Sequence, residues 1–475
     1  MDSENKDSLK RGLKTRHLTM LALGSSIGTG LFLASGGMIS VAGPGGALLS
    51  YLLVGFLIYF LMNGLGEMST YHPVTGSVIT FVKEYVDPAL GFSIGWIYYY
   101  MVIASIIMDV ITLGILMSFW FPNIPIWIFS TVLFLIILFL NFLGTKTFGE
   151  TEFWMSIIKV LAIIIFIILG VLIILGVIGR NPIGLTNFFY GGGPFIGNIN
   201  SFFSVLILGA LSFAGVELIG LTAGEADTPS KSIPKAISTI LLRILIFYIG
   251  TIFVIGAIIP YTSPYLLSSE TNLAVSPFAL IFQYANITSV DSLINFIILT
   301  AVISACNSEF YASTRVLYSL GKEKFAPKKF TIANKNGIPY FSMIITILTV
   351  PVCILITLIG FNAYLILING VGISTLIIWT CLGIAHYRFR QGYIKQGFNL
   401  SKLKFKSKLF PLGPIVVIFG TILMLGYNLI STFFTDWISS FYLFFPLIIF
   451  FILFISYKIY HKTKLIPLDK INLKR

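Results

Sequence analysis

From Leu18 to Tyr460 the chain is a succession of apolar runs, most of them about 20 residues long, separated by short polar gaps. A helix needs roughly 20 apolar residues to cross the hydrocarbon core of a bilayer, and within that core every backbone N–H and C=O must be satisfied inside the protein. Recurrent runs of this length admit one fold class, an all-α integral membrane protein, here with about twelve transmembrane helices. The expected spans are 18–42, 46–70, 89–118, 124–143, 151–178, 201–223, 238–260, 277–304, 340–360, 363–385, 410–431 and 438–460. Residues 1–17 and 461–475 are then polar tails, and 18–460 form one membrane domain. Composition agrees, because 57% of the residues are hydrophobic and 10% charged, where a soluble domain carries about 25% charged residues.

A net charge of +13 raises the question of a nucleic-acid partner, and the placement of the basic residues answers it. Lys6, Lys10, Arg11, Lys14 and Arg16 precede the first span, Lys322–Lys335 follow the eighth, Arg388–Lys408 follow the tenth, and Lys458–Arg475 close the chain. The alternate loops, near Pro122, Ser263, Asn362 and Asp436, carry almost no Lys or Arg, with Arg180 the exception. The positive-inside rule reads this alternation as topology, with both termini cytoplasmic. The lipid bilayer, and no nucleic acid, is the expected macromolecular surroundings. Trp120, Trp127, Trp437, Tyr261 and Tyr265 fall near outer span ends, where amphipathic rings anchor a membrane protein. Cys306, Cys353 and Cys381 lie in or beside apolar runs without CxxC spacing, and His17, His72, His386 and His461 share no common site. Neither a disulfide framework nor a metal site is expected.

Span 1 contains Gly24-Ser25-Ser26-Ile27-Gly28-Thr29-Gly30, and span 6 contains Ser212-Phe213-Ala214-Gly215 followed by Glu217. A single glycine pair would signify close helix packing. Helix-weakening clusters at matching places in two spans five apart signify inverted repeats with discontinuous first helices. The repeats cover about 18–178 and 201–385, with two extra helices after them. A break exposes free N–H groups at the positive end of a helix dipole, so Ser26, Ile27, Gly28, Thr29 and Gly30 form a receptor for a carboxylate. Unwinding at Phe213, Ala214 and Gly215 frees carbonyls for an ammonium group. Together they suit a zwitterion such as an amino acid.

Ionisable groups inside a membrane are costly and mark function. Lys159 lies roughly 14 Å along the fifth expected span, well inside hydrocarbon; burial disfavours its charged form, which makes it the leading candidate to exchange a proton. Its alternatives are permanent pairing with a carboxylate such as Asp109 or Glu217, or snorkelling. Asp109, Glu217 and Glu309 are the acidic candidates in spans 3, 6 and 8, and Glu217, just past the second break, can support unwound backbone or meet a substrate cation. Glu67 suits a gate or a loop anchor. No catalytic constellation and no GxxxxGK[ST] loop is present, so the chain reads as no enzyme, with no bound cofactor. Energy would come from an ion gradient, with the proton as coupling ion, or from a counter-substrate.

The run Arg16-His17-Leu18-Thr19-Met20 through Gly24 to Phe32, then Ala42-Gly43-Pro44-Gly45-Gly46, resembles the start of amino-acid permeases of the amino acid-polyamine-organocation (APC) superfamily. Phe148-Gly149-Glu150, Ile158-Lys159-Val160, Ser212 to Gly220, Ala223-Gly224-Glu225, Asn307-Ser308 and Tyr311 to Arg315 continue the likeness in order along nearly the whole chain. Val275-Ser276-Pro277-Phe278, His386 to Arg390 and Phe410 to Pro414 are similar to the bacterial lysine-specific permeases. The resemblance implies a LeuT-type fold in a bacterial inner (plasma) membrane and proton-coupled uptake, with Lys159 standing where sodium-driven relatives bind an ion. It also implies that Glu217 and Glu225 matter for a cationic substrate, and that Ser374 or Thr375 lines the pocket, with Glu309 and Asn307 as further candidates. The expected substrate is lysine, then arginine, then a neutral or aromatic amino acid. An exchanger and a transport-inactive amino-acid sensor are the alternatives.

Overall fold

The computed structural model describes residue 9 and residues 11–24, 27–32, 34–178, 182–264, 266, 277–284, 291–334, 337–348, 351–352, 355, 361–435 and 444–473. Of the residues singled out above, Lys6, Lys10, Ser25, Ser26, Arg180, Tyr265, Val275, Ser276, Lys335, Cys353, Asp436, Trp437 and Arg475 lie outside the described residues, as do the side chains of Thr29 and Asn362. The first break is formed between α1 (Thr15–Gly24) and α2 (Thr29–Phe32). Then come α3 (Ala34–Tyr71), the short α4 (Ser77–Tyr85), α5 (Pro88–Met117), α6 (Ile126–Phe142) and α7 (Thr145–Ile174). The second break separates α8 (Ile199–Ser212) from α9 (Leu218–Leu221). After it follow α10 (Pro229–Ile258), α11 (Pro277–Tyr284), α12 (Asp291–Lys322), α13 (Tyr340–Ile347), α14 (Phe361–Lys395), α15 (Leu412–Thr435) and α16 (Phe445–His461). Among the described residues, seven helices are long and apolar enough to cross a membrane, and α6, α8 and α16 are shorter apolar ones.

Local chemistry sets several boundaries. Within α3 the backbone leaves the helical region at Gly43 (φ 78°, ψ 167°), just before Pro44, which divides the end of the first span from the second. Asp87 caps α5 by accepting the N–H of Ala89, with Pro88 at the first helical position. Asn198 and Ser201 cap α8 reciprocally.

The helices differ in what they face. The apolar window of α5 is 78% buried, against 28% for α7 and 22% for α15, so α5 is an interior post while α7 and α15 lie at the rim. Outward-facing Phe139 on α6, Leu161 and Ile165 on α7 and Phe419 on α15 present the apolar surface that lipid requires. Along α5 pack α12 and α14, and α7 packs against α1 and α12.

Two expected spans are corrected. The fifth begins at Thr145 rather than 151, because Thr145, Phe148 and Glu152 are buried in the bundle and the helix continues below the apolar run. The eighth continues past 304 to Lys322, in a helix described from Asp291 onwards. Nor does the C-terminal segment hang free: Ile471 and Leu473 are buried, and Gln396 Nε2 donates to the carbonyls of Leu468 (3.0 Å) and Ile471 (2.8 Å).

Candidate functional site

The two breaks meet. A Cβ on Gly30 would lie 2.6 Å from the Cα of Ser212, so the broken helices cross backbone against backbone and a side chain at position 30 would force them apart. In the second break the chain turns through 213–217, with Gly215 at φ 88°, a region that side-chain-bearing residues rarely adopt. The N–H of Val216 bonds to the carbonyl of Phe213 instead of that of Ser212, the partner an α-helix would use. The released Ser212 carbonyl accepts the Tyr248 hydroxyl at 3.1 Å. Ser212 also shares a hydroxyl hydrogen bond with Tyr51 at 2.9 Å, and the Phe213 and Tyr248 rings stack with centroids 4.1 Å apart. Aromatic residues of α3 and α10 thus hold the frayed end of α8 in place.

Beside this turn a narrow cleft opens between α5, the second break and α12. From α5 come Tyr98, Met101, Val102 and Ser105, from the break Ala214, Gly215 and Glu217, and from α12 Ser308, Glu309 and Ala312. Among the described residues that line it, two are carboxylates and none is basic. Glu217 is fully buried; its Oε2 accepts a long hydrogen bond (3.5 Å) from the Trp379 indole, and Oε1 has no hydrogen-bond partner among the described residues. Oε2 of Glu309 is in the same condition. A carboxylate oxygen desolvated without a donor is costly until a cation or a proton meets it.

At the first break the roles of charge and backbone reverse. Lys159, fully buried on α7, donates from Nζ to the carbonyls of Gly24 (2.7 Å) and Ile27 (3.1 Å) where α1 is interrupted, and the Gly24 carbonyl also accepts the N–H of Ile27 at 3.1 Å. Charge-assisted bonds of this kind are worth about 1.5–3 kcal/mol each. Two turns earlier on α7, buried Glu152 accepts from Ser304 (2.7 Å) and Asn307 (2.6 Å), while Asn141 donates to Oδ1 of Asn307 (2.7 Å).

Of the residues expected at the site, Ala214, Gly215, Glu217 and Glu309 line the cleft. Ile27 and Gly28 are buried at the first break, and Phe213 is buried in the turn. Asp109 is buried on α5 and Ser374 on α14, and neither lines the cleft. Thr375 donates to the Val371 carbonyl (2.8 Å) and lies 3.3 Å from Sδ of Met101. Asn307 belongs to the Glu152 cluster rather than to the cleft wall. Glu225 sits elsewhere, taking two bonds from Arg315, Nε to Oε1 at 3.0 Å and Nη2 to Oε2 at 3.1 Å.

Two buried charges escape a reading of the sequence. Glu152 falls beside the boundary of its expected span and looks like a loop residue; its spacing of seven from Lys159, which puts both on one helix face, is the signal that exposes it. Arg243 lies inside an expected span, is fully buried, and none of its three guanidinium nitrogens has a hydrogen-bond partner among the described residues. The seven-residue π-helix that follows it, Ile244–Gly250, is not visible in hydropathy.

Residues 17–469 match the family described as amino acid permease. The chain is 42% identical to the lysine-specific permease LysP of Lactococcus lactis subsp. cremoris (strain MG1363), over 100% of this chain and 94% of that one. It is 43% identical to the histidine permease HisP of the same organism, over 99% of each. Against the lysine-specific permease LysP of Escherichia coli (strain K12) the figure is 46%, over 88% of this chain and 87% of that one. Its fold is similar to that of a solved manganese transporter from Eremococcus coleocola, with a TM-score of 0.57 at 15% identity over 93% and 92% of the two chains. The chain belongs to the amino acid permease family, and is a multi-pass membrane transporter of amino acids with a LeuT-type fold whose first and sixth spans are broken.

Proposed function

We propose that the protein takes up a basic amino acid, lysine first and arginine second, in symport with protons across the bacterial plasma membrane, with both termini in the cytoplasm. The observation that carries this reading is the charge of the cleft: Glu217 and Glu309 face it and no lining side chain among the described residues is basic. A lysine or arginine side chain supplies the missing cation, whereas a neutral side chain would leave buried carboxylate oxygens unmet. The substrate carboxylate would sit on the N–H groups from Ser26 to Gly30, and its amino group on the carbonyls of the turn at Phe213, Ala214 and Gly215, of which those of Phe213 and Gly215 already accept one N–H each. Ser374 would join from α14 as the cleft widens.

Lys159 supplies the coupling. Protonated, it ties α7 to the carbonyls at the end of α1; deprotonated, it loses that charge-assisted grip and α1 is released. Movement of the two repeats, about 18–178 and 201–385, would then alternate access to the cleft. The basic loops support cytoplasmic termini. Relatives of equal likeness carry lysine and histidine in their names, so histidine is the competitor of most interest.

The test is uptake of radiolabelled lysine into proteoliposomes with and without an inward proton gradient, with unlabelled arginine, histidine, phenylalanine and proline as competitors. Accumulation driven by the gradient and blocked by lysine and arginine alone is the expected result. Failure of lysine uptake, or inhibition by phenylalanine as strong as that by arginine, would reject a cationic substrate. Counterflow at a rate insensitive to pH would favour an exchanger.

A further inference from the structure

Glu152, Ser156 and Lys159 are spaced four and three residues apart on α7, which places them in line on one helix face. Glu152 is thus about 10 Å from Lys159 along the axis, towards the α7 N-terminus. All three are buried, at 1%, 0% and 0% exposure, in a helix whose other faces meet lipid. Ser156 packs directly on α1, since a Cβ on Gly24 would lie 2.1 Å from its Oγ. That Oγ has no hydrogen-bond partner among the described residues, and it faces Gly24, the residue whose carbonyl accepts Lys159.

The surroundings of Glu152 differ from those of Glu67 and Glu225. Glu67 and Glu225 are bound by Arg390 and Arg315, cations that never give up a proton. Ser304 and Asn307 on α12 donate to Glu152, Asn141 on α6 orients Asn307, and these groups are neutral. Among the described residues no ammonium or guanidinium lies within ion-pair distance of it. The carboxylates whose charge acts on Lys159 are Glu152 on its own helix face, Asp109 on α5 and Glu309 on α12. A carboxylate held only by neutral donors can gain and lose a proton without breaking an ion pair.

We propose that Glu152 is the acceptor that takes the proton from Lys159 and passes it to the cytoplasmic side, with the Ser156 hydroxyl as the link between them. The inference rests on the proton-coupled reading of Lys159. An N–H bond of the ammonium breaks, its proton goes to the Ser156 oxygen, and the hydroxyl proton of Ser156 goes to a carboxylate oxygen of Glu152. A neutral amine and a neutral carboxylic acid result, so two opposite charges vanish from a medium that disfavours both. Glu152 then loses that proton to water at the α7 N-terminal end, and the Lys159 amine takes the next one from the opposite side. One proton crosses per cycle, with no change of oxidation state.

The full-length protein in proteoliposomes tests this through two readouts, lysine counterflow and lysine-coupled acidification reported by a trapped pH dye. Glu152→Gln is expected to keep counterflow within about twofold of wild type and to lose at least about tenfold of the coupled acidification. Acidification by Glu152→Gln equal to that of wild type would overturn the proposal. Should that variant not fold, Ser156→Ala replaces it: slower acidification with intact counterflow supports the relay, and an unchanged rate overturns it. Absence of acidification in the wild type would instead reject proton coupling itself, so the two failures are distinguishable.

Discussion

Buried charge is handled in opposite ways in two parts of the molecule. At Glu225 and Glu67 it is closed. Glu225 takes two guanidinium bonds from Arg315 and a third from the Thr145 hydroxyl at 3.0 Å, with the Arg315 carbon 3.6 Å above the Tyr311 ring. Glu67 is bound by Arg390, by the backbone N–H of Ser407 (2.7 Å) and, at 3.5 Å, by His386. At the breaks the charges are open. Lys159 holds carbonyls, Glu217 and Glu309 each present an oxygen without a described donor, and Glu152 is held by neutral groups. A bidentate pair fixes two helices and has no capacity left, whereas an incompletely met charge can still bind a substrate or a proton. The first arrangement serves the scaffold and the second serves transport.

The comparison can be broken at either end. Lys159→Ala should have the largest effect, reducing gradient-driven lysine accumulation to background in proteoliposomes while counterflow persists; undiminished uphill uptake would remove the lysine from the coupling role. Next comes Glu67→Ala, which strands Arg390 in the protein interior and should cost about 3–5 kcal/mol of stability, read as loss of monodisperse protein on heating in detergent. Glu217→Gln keeps shape and removes charge, and should weaken lysine binding by about 10–100-fold, or about 1.4–2.8 kcal/mol, with little loss of stability. If it lowers the thermal midpoint as far as Glu67→Ala does, Glu217 belongs with the scaffold.

The smallest effect concerns Glu84, on α4 outside the spans. Burial and the neighbouring negative charge of Glu323 push its carboxyl from 4.5 up to about 7, with Lys83 opposing. A carboxyl raised in the folded state favours folding while it is protonated. Its contribution is therefore present in full below about pH 4.5 and is lost as pH rises through about 7. Glu84→Gln should raise the thermal midpoint over wild type by a degree or two at about pH 8 and leave it unchanged at about pH 4, the small size reflecting solvent screening.

Hydropathy reports what faces lipid, and this explains which features the sequence discloses. The rim helix α7, with 28% of its apolar stretch buried, is plain in the sequence; the full length of α12, with 67% buried, is not. The polar stretch Cys306-Asn307-Ser308-Glu309 ends the apolar run although the helix continues to Lys322, because those residues face other helices. Both breaks and Lys159 are legible, since glycine clusters and a lone lysine are anomalous inside an apolar run. Glu152 stands at the end of such a run, where its spacing of seven from Lys159 is the one mark it carries, and the Arg315–Glu225 pair joins residues far apart in sequence, so that pair cannot be inferred without the packing.

The most direct test of the division between closed and open charges is to measure gradient-driven lysine accumulation per folded molecule for Glu217→Gln and for Glu67→Gln in parallel proteoliposomes. Accumulation lost in the first and kept in the second is the result that the geometry of the two sites predicts. Accumulation kept by Glu217→Gln and lost by folded Glu67→Gln would contradict it, and would move the substrate cation from the cleft to the Glu67–Arg390 pair.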